Sequence, residues 1–197
     1  MIKEQEALNL LRKENSSEAL IKHSITVSEV SIILALAFKE KGYSVDLDLV
    51  RVGGLLHDIG RVITHSVLHG YLGGRLLRER GIDERIARIA ERHVGGGISD
   101  EEAKKLGLPK GRYMPESLEE KIVCFADKIV EISHIIPLEK TLDKLREELG
   151  YENNAVKNII ELKDELTRLL DHDPEEIVKK VWLKRQASDF ISSEGWI

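Results

Sequence analysis

A single cysteine, Cys124, stands in 197 residues, so no internal disulfide is available. That is compatible with a reducing compartment, and it excludes a structural zinc site built on thiolates. Aromatic residues are scarce at 5%, while apolar residues reach 42% and are mostly Leu, Ile, Val and Ala. This balance favours helices packed by aliphatic side chains. An excess of basic charge is also missing: the formal net charge is -5, so no global field draws nucleic acid, and nucleic acid is not an expected partner. No apolar stretch approaches the roughly 18 residues that a membrane span needs. The opening Met1-Ile2-Lys3-Glu4-Gln5-Glu6 is charged at once, unlike a signal peptide. The expectation is a soluble, cytoplasmic protein with no membrane partner. There is no Gly-Lys-Ser/Thr phosphate loop and no Ser-His-Asp elbow, which argues against nucleotides as an energy source and against serine-hydrolase chemistry. Period-2 strand patterns, internal repeats and low-complexity linkers are absent as well. Charged residues make up 33% while Gln and Met are scarce, a balance that leans towards heat adaptation.

What is present is a succession of helices. Residues 4–13 are amphipathic. Ser16 or Ser17 caps a second helix that runs to about Lys41, with His23, Val27, Val30, Leu34 and Ala37 on one stripe. A lone histidine on such a face is ordinarily a core residue bonded to a carbonyl. A third helix from Val45-Asp46-Leu47-Asp48 delivers His57-Asp58 and stops at Gly60. Gly53-Gly54 in its middle costs roughly 1 kcal/mol per glycine relative to alanine. Such a pair signals either the close approach of another backbone, bringing the His23 helix near, or plain helix packing. A helix from about Ser66 to Arg80 carries His69, with His65 at its boundary. Another, opened by Asp83-Glu84, ends at His93, ahead of Gly95-Gly96-Gly97.

Residues 98–117 read as an inserted flap. Its Lys110-Gly111-Arg112-Tyr113 loop offers two cations and a ring, suited to clamping a phosphate and stacking a base, or simply to solvent. Ser117-Leu118-Glu119-Glu120 is a capping-box signature for a helix that holds Asp127 in line with Val123, Val130 and His134. A carboxylate among valines is costly to bury unpaired. Lys128 sits about 100° round the helix and is read as part of its polar edge, so a metal is the expected partner. Residues 137–197 carry aliphatic stripes with no ligand set, and are read as a helical extension packed on the 1–136 domain or as a homodimer surface. His172, between two aspartates, is read as surface.

The inward or helix-end residues are His23, His57, Asp58, His69, His93 and Asp127. Imidazole and carboxylate suit Mn, Fe, Co, Ni, Zn or Mg. Four of them, His23, His57, Asp58 and Asp127, suffice for one ion. Asp58 has a second oxygen for another ion, held by His69 and His93. His65 lies four residues before His69, on the same helix face, and is an alternative ligand.

The order His23, then His57-Asp58-Ile59-Gly60, then Asp127 resembles the HD superfamily of metal-dependent phosphohydrolases in its HDIG form, over roughly residues 20–131. The stretch His69-Gly70 with Gly73-Gly74, then Ile89-Ala90-Glu91-Arg92-His93, is similar to members with two metals, among them HD-GYP cyclic-dinucleotide phosphodiesterases and dinucleoside-tetraphosphate hydrolases. Residues 78–128 look like an HDIG branch of archaea and bacteria. Val94 stands where the HD-GYP type has a second histidine, and no Gly-Tyr-Pro follows, which argues against cyclic di-GMP. The resemblance picks His69 over His65. It implies an all-α helical bundle, here with extra C-terminal helices, and hydrolysis of a small phosphoester such as a nucleotide. One or two divalent ions would activate a water. Asp58 or Asp127 would orient that water, Arg61 would meet a phosphate oxygen, and Lys110 or Arg112 would close over the rest. Two rival readings share the ligand set: a di-iron oxygenase, and a metal- and nucleotide-binding regulator with little turnover.

Overall fold

Helix α2, Glu18–Glu40, is the longest helix of a computed structural model and packs against the third, seventh, ninth and tenth helices. The model describes residues 2–151 and 153–193, with side chains as far as residue 185. Ser17 caps α2, its Oγ accepting from the Leu20 N–H at 3.1 Å. Val27, Val30, Leu34 and Phe38 are fully buried along it. Contrary to the sequence expectation, α2 is long and apolar enough to cross a membrane. In this fold most of that apolar length is buried among other helices, so it serves as the core helix.

The architecture is all-α. The helices are α1 (Glu4–Lys13), α2, α3 (Leu47–Leu56), α4 (His69–Glu79), α5 (Glu84–Arg92), α6 (Asp100–Lys105), α7 (Leu118–Lys128), α8 (Leu138–Leu149), α9 (Asn154–Leu170) and α10 (Pro174–Ser193). One apolar core joins all of them but α6, from Ala7 and Leu11 of α1 to Ile159, Leu166 and Val178 of α9 and α10.

The Gly53-Gly54 pair lets helices meet at backbone distance. A Cβ on Gly54 would stand 2.7 Å from Ser28 Cα of α2, and one on Gly53 would stand 2.4 Å from Ile89 Cδ1 of α5. The Ser28 hydroxyl donates to the Arg51 carbonyl across the same contact at 2.8 Å. Backbone proximity is thus the reason for Gly54, while Gly53 makes room for the Ile89 side chain, so each of the two readings of the pair holds at one of its glycines.

Two boundaries differ from the sequence expectation. The helix expected from Ser66 starts at His69, because the Ser66 carbonyl is taken in a turn by the His69 N–H. The helix expected to run past Val130 ends at Lys128. Ile129 leaves helical geometry at φ -111, ψ 17, and the β-branched residues that follow pair as two short antiparallel strands, β1 (Val130–Glu131) and β2 (His134–Ile135). His134 is therefore on a hairpin, exposed, and not on the face of Asp127.

Residues 98–117 form a small folded unit. Ile98 bridges to Tyr113, and Ile98, Ala103, Leu108 and Tyr113 make a satellite core. Arg92, buried at the end of α5, pins this unit by donating to the Arg112 carbonyl at 3.0 Å and to Glu116 and Glu120.

Candidate metal centre

Each ligand-type side chain is delivered by the end of a helix or by the turn beside it. His57 is the C-cap of α3 and Asp58 follows it. The 3-10 turn Ile59–Val62 then crosses α4 so closely that a Cβ on Gly60 would stand 1.9 Å from the His69 carbonyl oxygen. Glycine at 60 is what lets the Asp58 turn and the His69 turn share one space. His93 caps α5, His23 projects from the first turns of α2, and Asp127 from the last turn of α7.

The six residues converge as two lobes that share Asp58. In the first lobe, Asp127 Oδ1 lies 3.0 Å from His23 Nε2 and 3.4 Å from His57 Nε2, and Asp58 Oδ2 lies 3.8 and 3.9 Å from the same nitrogens. In the second, Asp58 Oδ1 lies 3.1 Å from His69 Nε2 and 3.2 Å from His93 Nε2. His57, Asp58, His69 and His93 are buried.

Three tautomers are set by the backbone. The Nδ1 atoms of His57, His69 and His93 lie 2.7, 2.7 and 2.8 Å from the carbonyls of Gly54, Ser66 and Ala90. A carbonyl only accepts, so each Nδ1 carries the proton, and each neutral ring turns a bare Nε2 lone pair towards the carboxylates. His57 Nε2 and Asp58 Oδ1 are buried without a hydrogen bond. Lone pairs facing carboxylate oxygens call for a cation, and histidines oriented by carbonyls in this way are the usual arrangement around a metal. The donor set fits a divalent ion in each lobe.

The charges around the protein ligands point the same way. Burial works against ionising Asp58, but wherever His57, His69 and His93 take up a second proton, on Nε2, they overcome it and hold the carboxyl well below the usual range. Burial likewise opposes the Asp127 charge. Lys128 first, then His23 and His57, overcome it and keep that carboxyl ionised. His57 is pulled down by burial and raised more by Asp58 and Asp127, so it sits above its ordinary value. His93 is pushed down to about 4, burial being the largest cause.

Asp127 corrects one sequence inference. It does have a lysine partner: Lys128 Nζ lies 2.6 Å from Asp127 Oδ2. The angular offset on the helix is bridged by the four-carbon stem, and the helix ends there, leaving the ammonium free to fold back. Asp127 thus gives Oδ2 to Lys128 and Oδ1 to the His23 and His57 side.

His65 is exposed at the cavity wall and does not join the cluster; His69 does. Arg61 has its Nε 2.5 Å from Asp58 Oδ2, so the cation expected to meet a phosphate already braces a ligand. Lys110 and Arg112 lie outside the lining of the cavity that holds the cluster, Arg112 being paired to Glu116 and the Tyr113 ring being buried. The sequence reading also missed the far wall. Helix α8 lines this cavity of about 1230 Å³, together with the β1–β2 hairpin. The signal was weak: α8 spaces Glu139, Asp143 and Glu147 one turn apart, but with no histidine beside them the row reads as an ordinary solvated face. Cys124 takes no part: its buried thiol is pushed up to about 12 by burial and donates to the His93 carbonyl at 3.3 Å.

Comparison with known proteins places the chain in a family. A family model described as HD domain matches residues 20–132. An uncharacterized protein of Methanocaldococcus jannaschii is 48% identical over 166 residues, covering 84% of this chain and 98% of that one. A tRNA (cytidine(56)-2'-O)-methyltransferase of Picrophilus torridus is 41% identical over 180 residues, 89% of this chain but 50% of that protein. The chain thus spans about half the length of that methyltransferase. Among solved structures, the L. monocytogenes phosphodiesterase PgpH HD domain shares the fold, with a TM-score of 0.52 at 19% identity over 91% of this chain and 98% of that one. With the family model matching more than half of its residues, the His57-Asp58 pair included, the chain belongs to the HD domain family.

Proposed function

We propose that this protein is a metal-dependent phosphohydrolase that cleaves a phosphoester of a nucleotide or similarly small molecule. The observation that carries the reading is the two-lobed cluster joined by Asp58, with its Nε2 lone pairs aimed inward by backbone carbonyls. His23, His57, Asp58 and Asp127 would hold one ion, and Asp58, His69 and His93 the other. When bound, such ions supply Lewis acidity and an ionised water near neutral pH. Arg61 orients Asp58 by donating its Nε to Oδ2, while its Nη atoms, which make no hydrogen bond among the described residues, offer a planar donor edge to a phosphoryl oxygen. Lys128, in the cavity wall, adds a fixed positive charge against the negative charge that develops on the phosphoryl group. This reading assigns no step to Lys110 or Arg112.

The test is phosphate release from a panel of nucleotides and simple phosphoesters with Mn, Co, Ni or Mg, against chelated protein and Asp58→Ala. Phosphate release from a monoester, or appearance of a new monoester from a diester, that needs the metal and Asp58 supports the reading. Oxygen consumption without phosphate release would replace it with a di-iron oxygenase. Metal and nucleotide binding without either would replace it with a regulatory protein.

The names of the methyltransferase relatives favour a second reading, in which the phosphoester belongs to tRNA or one of its fragments. Incubation with tRNA distinguishes the two: shortened or end-dephosphorylated tRNA supports the second, intact tRNA beside a hydrolysed mononucleotide the first.

A further inference from the structure

Beside the polar metal centre, the same cavity exposes large apolar side chains from three separate elements. Val67 precedes α4, Ile132 tips the β1–β2 hairpin, and Leu149 ends α8. They are 37%, 52% and 60% exposed. Scattered exposed aliphatics need no explanation, but three lining one charged cavity do. Pockets for small molecules combine such apolar lining with a few convergent polar groups.

Ile132 adds an independent observation. Glu131 pairs with His134, so Ile132 and Ser133 form the two-residue loop, and Ile132 has φ +56. The first position of such a loop favours glycine, and a β-branched residue there is a genuine outlier. Its side chain is half exposed, so core packing does not offset the strain. Strain that persists without a packing return, at the wall of a reactive cavity, points to a contact made with a ligand.

Charge narrows that ligand. On the cavity side α8 presents Glu139 and Asp143, both paired to Arg146, then Lys140, paired to Glu131, and at its end Lys144, Glu147 and Glu148 next to Leu149. Glu147 and Glu148 make no ion pair among the described residues. Additional phosphates placed along this wall would meet repulsion.

We infer that Ile132, with Val67 and Leu149, forms the subsite for the leaving group, which carries an apolar, uncharged face such as a nucleoside and no further phosphate. The inference rests on the phosphohydrolase reading for the phosphoryl end of the site, yet its test is binding and needs no turnover.

The probes are the non-hydrolysable methylenephosphonate analogue of adenosine monophosphate, methylphosphonate, and α,β-methylene adenosine diphosphate, titrated into Mn-loaded full-length protein by calorimetry. The monophosphate analogue should bind about tenfold tighter than methylphosphonate, as expected for covering an aliphatic side chain. The diphosphate analogue should bind no tighter than the monophosphate one. Ile132→Gly should lower affinity for the nucleoside probe several-fold, leave methylphosphonate unchanged and raise the thermal midpoint, because glycine relieves the strain. Leu149→Ser should shift the same affinity ratio without touching the hairpin. Equal affinities for the first two probes overturn the inference, as does a ratio unmoved in both variants, or a diphosphate analogue bound tenfold tighter than the monophosphate. If the binding pattern holds and no phosphoester is hydrolysed, the activity reading fails and the subsite stands.

Discussion

His69 Nε2 and His93 Nε2 stand 3.2 Å apart, each on a ring whose Nδ1 proton is committed to a carbonyl. Two acceptors at hydrogen-bond distance repel unless a cation lies between them and Asp58 Oδ1. We therefore expect about two divalent ions per chain in protein purified without chelator. His69→Ala should leave one, and Asp58→Ala should deplete both lobes. Elemental mass spectrometry decides this. One ion in the wild type, unchanged by His69→Ala, would confine the metal to the His23, His57, Asp58 and Asp127 lobe.

Metal-free protein should show the cost of keeping His93 neutral. Its folded value is about 4 and its ordinary value 6.5. Below 6.5 the unfolded chain takes up a proton that the folded one refuses, so this residue's contribution falls as pH falls from 6.5 to 4. The linkage amounts to about 3 kcal/mol. His57, raised instead of lowered, works in the opposite direction. Urea titrations of chelated wild type and His93→Gln should therefore converge with acidification across that window. A constant difference would contradict the neutral His93.

Lys128→Met should make stability depend more strongly on metal. Removing the ammonium leaves the Asp127 carboxylate without the cation on its Oδ2 side. Breaking one side of a buried pair costs about 3–5 kcal/mol, and a divalent ion in the first lobe offsets part of it. The fall in thermal midpoint relative to wild type should be larger in chelator than in Mn. Equal falls in both would show that Lys128 acts on packing alone.

Gly60→Ala should be more damaging than Gly54→Ala. The first places a Cβ 1.9 Å from a backbone oxygen in the turn that presents Asp58; the second places one 2.7 Å from Ser28 Cα between two helices. Overpacking of the second kind costs roughly 1–3 kcal/mol. The first must also displace the His69 turn, so it should lower metal content as well as the midpoint. Full occupancy in folded Gly60→Ala would refute the shared-space role of this glycine.

Much of the fold was legible in the chain. Helix starts at Ser17, one of two serines offered, at Asp46 and at Ser117 were readable because capping is local: each side chain accepts from the N–H three residues on. The breaks in α4 and α7 were not, since one depends on where the Ser66 carbonyl finds a partner and the other on how Ile129 meets the core.

The sequence by itself determined the helical class, the residue types of the cluster and the order in which they occur, because periodicity, caps and ligand chemistry are properties of short stretches. The two-sided use of Asp58 and the choice of His69 over His65 were expectations whose distances the structure supplied, whereas only the tertiary structure decided that Lys128 turns back onto Asp127 and that α8 walls the cavity. These are contacts between segments up to about a hundred residues apart, made by helix crossings at Gly54 and Gly60 and by flexible side-chain stems. No local pattern carries such distances, which arise when separate helix ends are packed into one space.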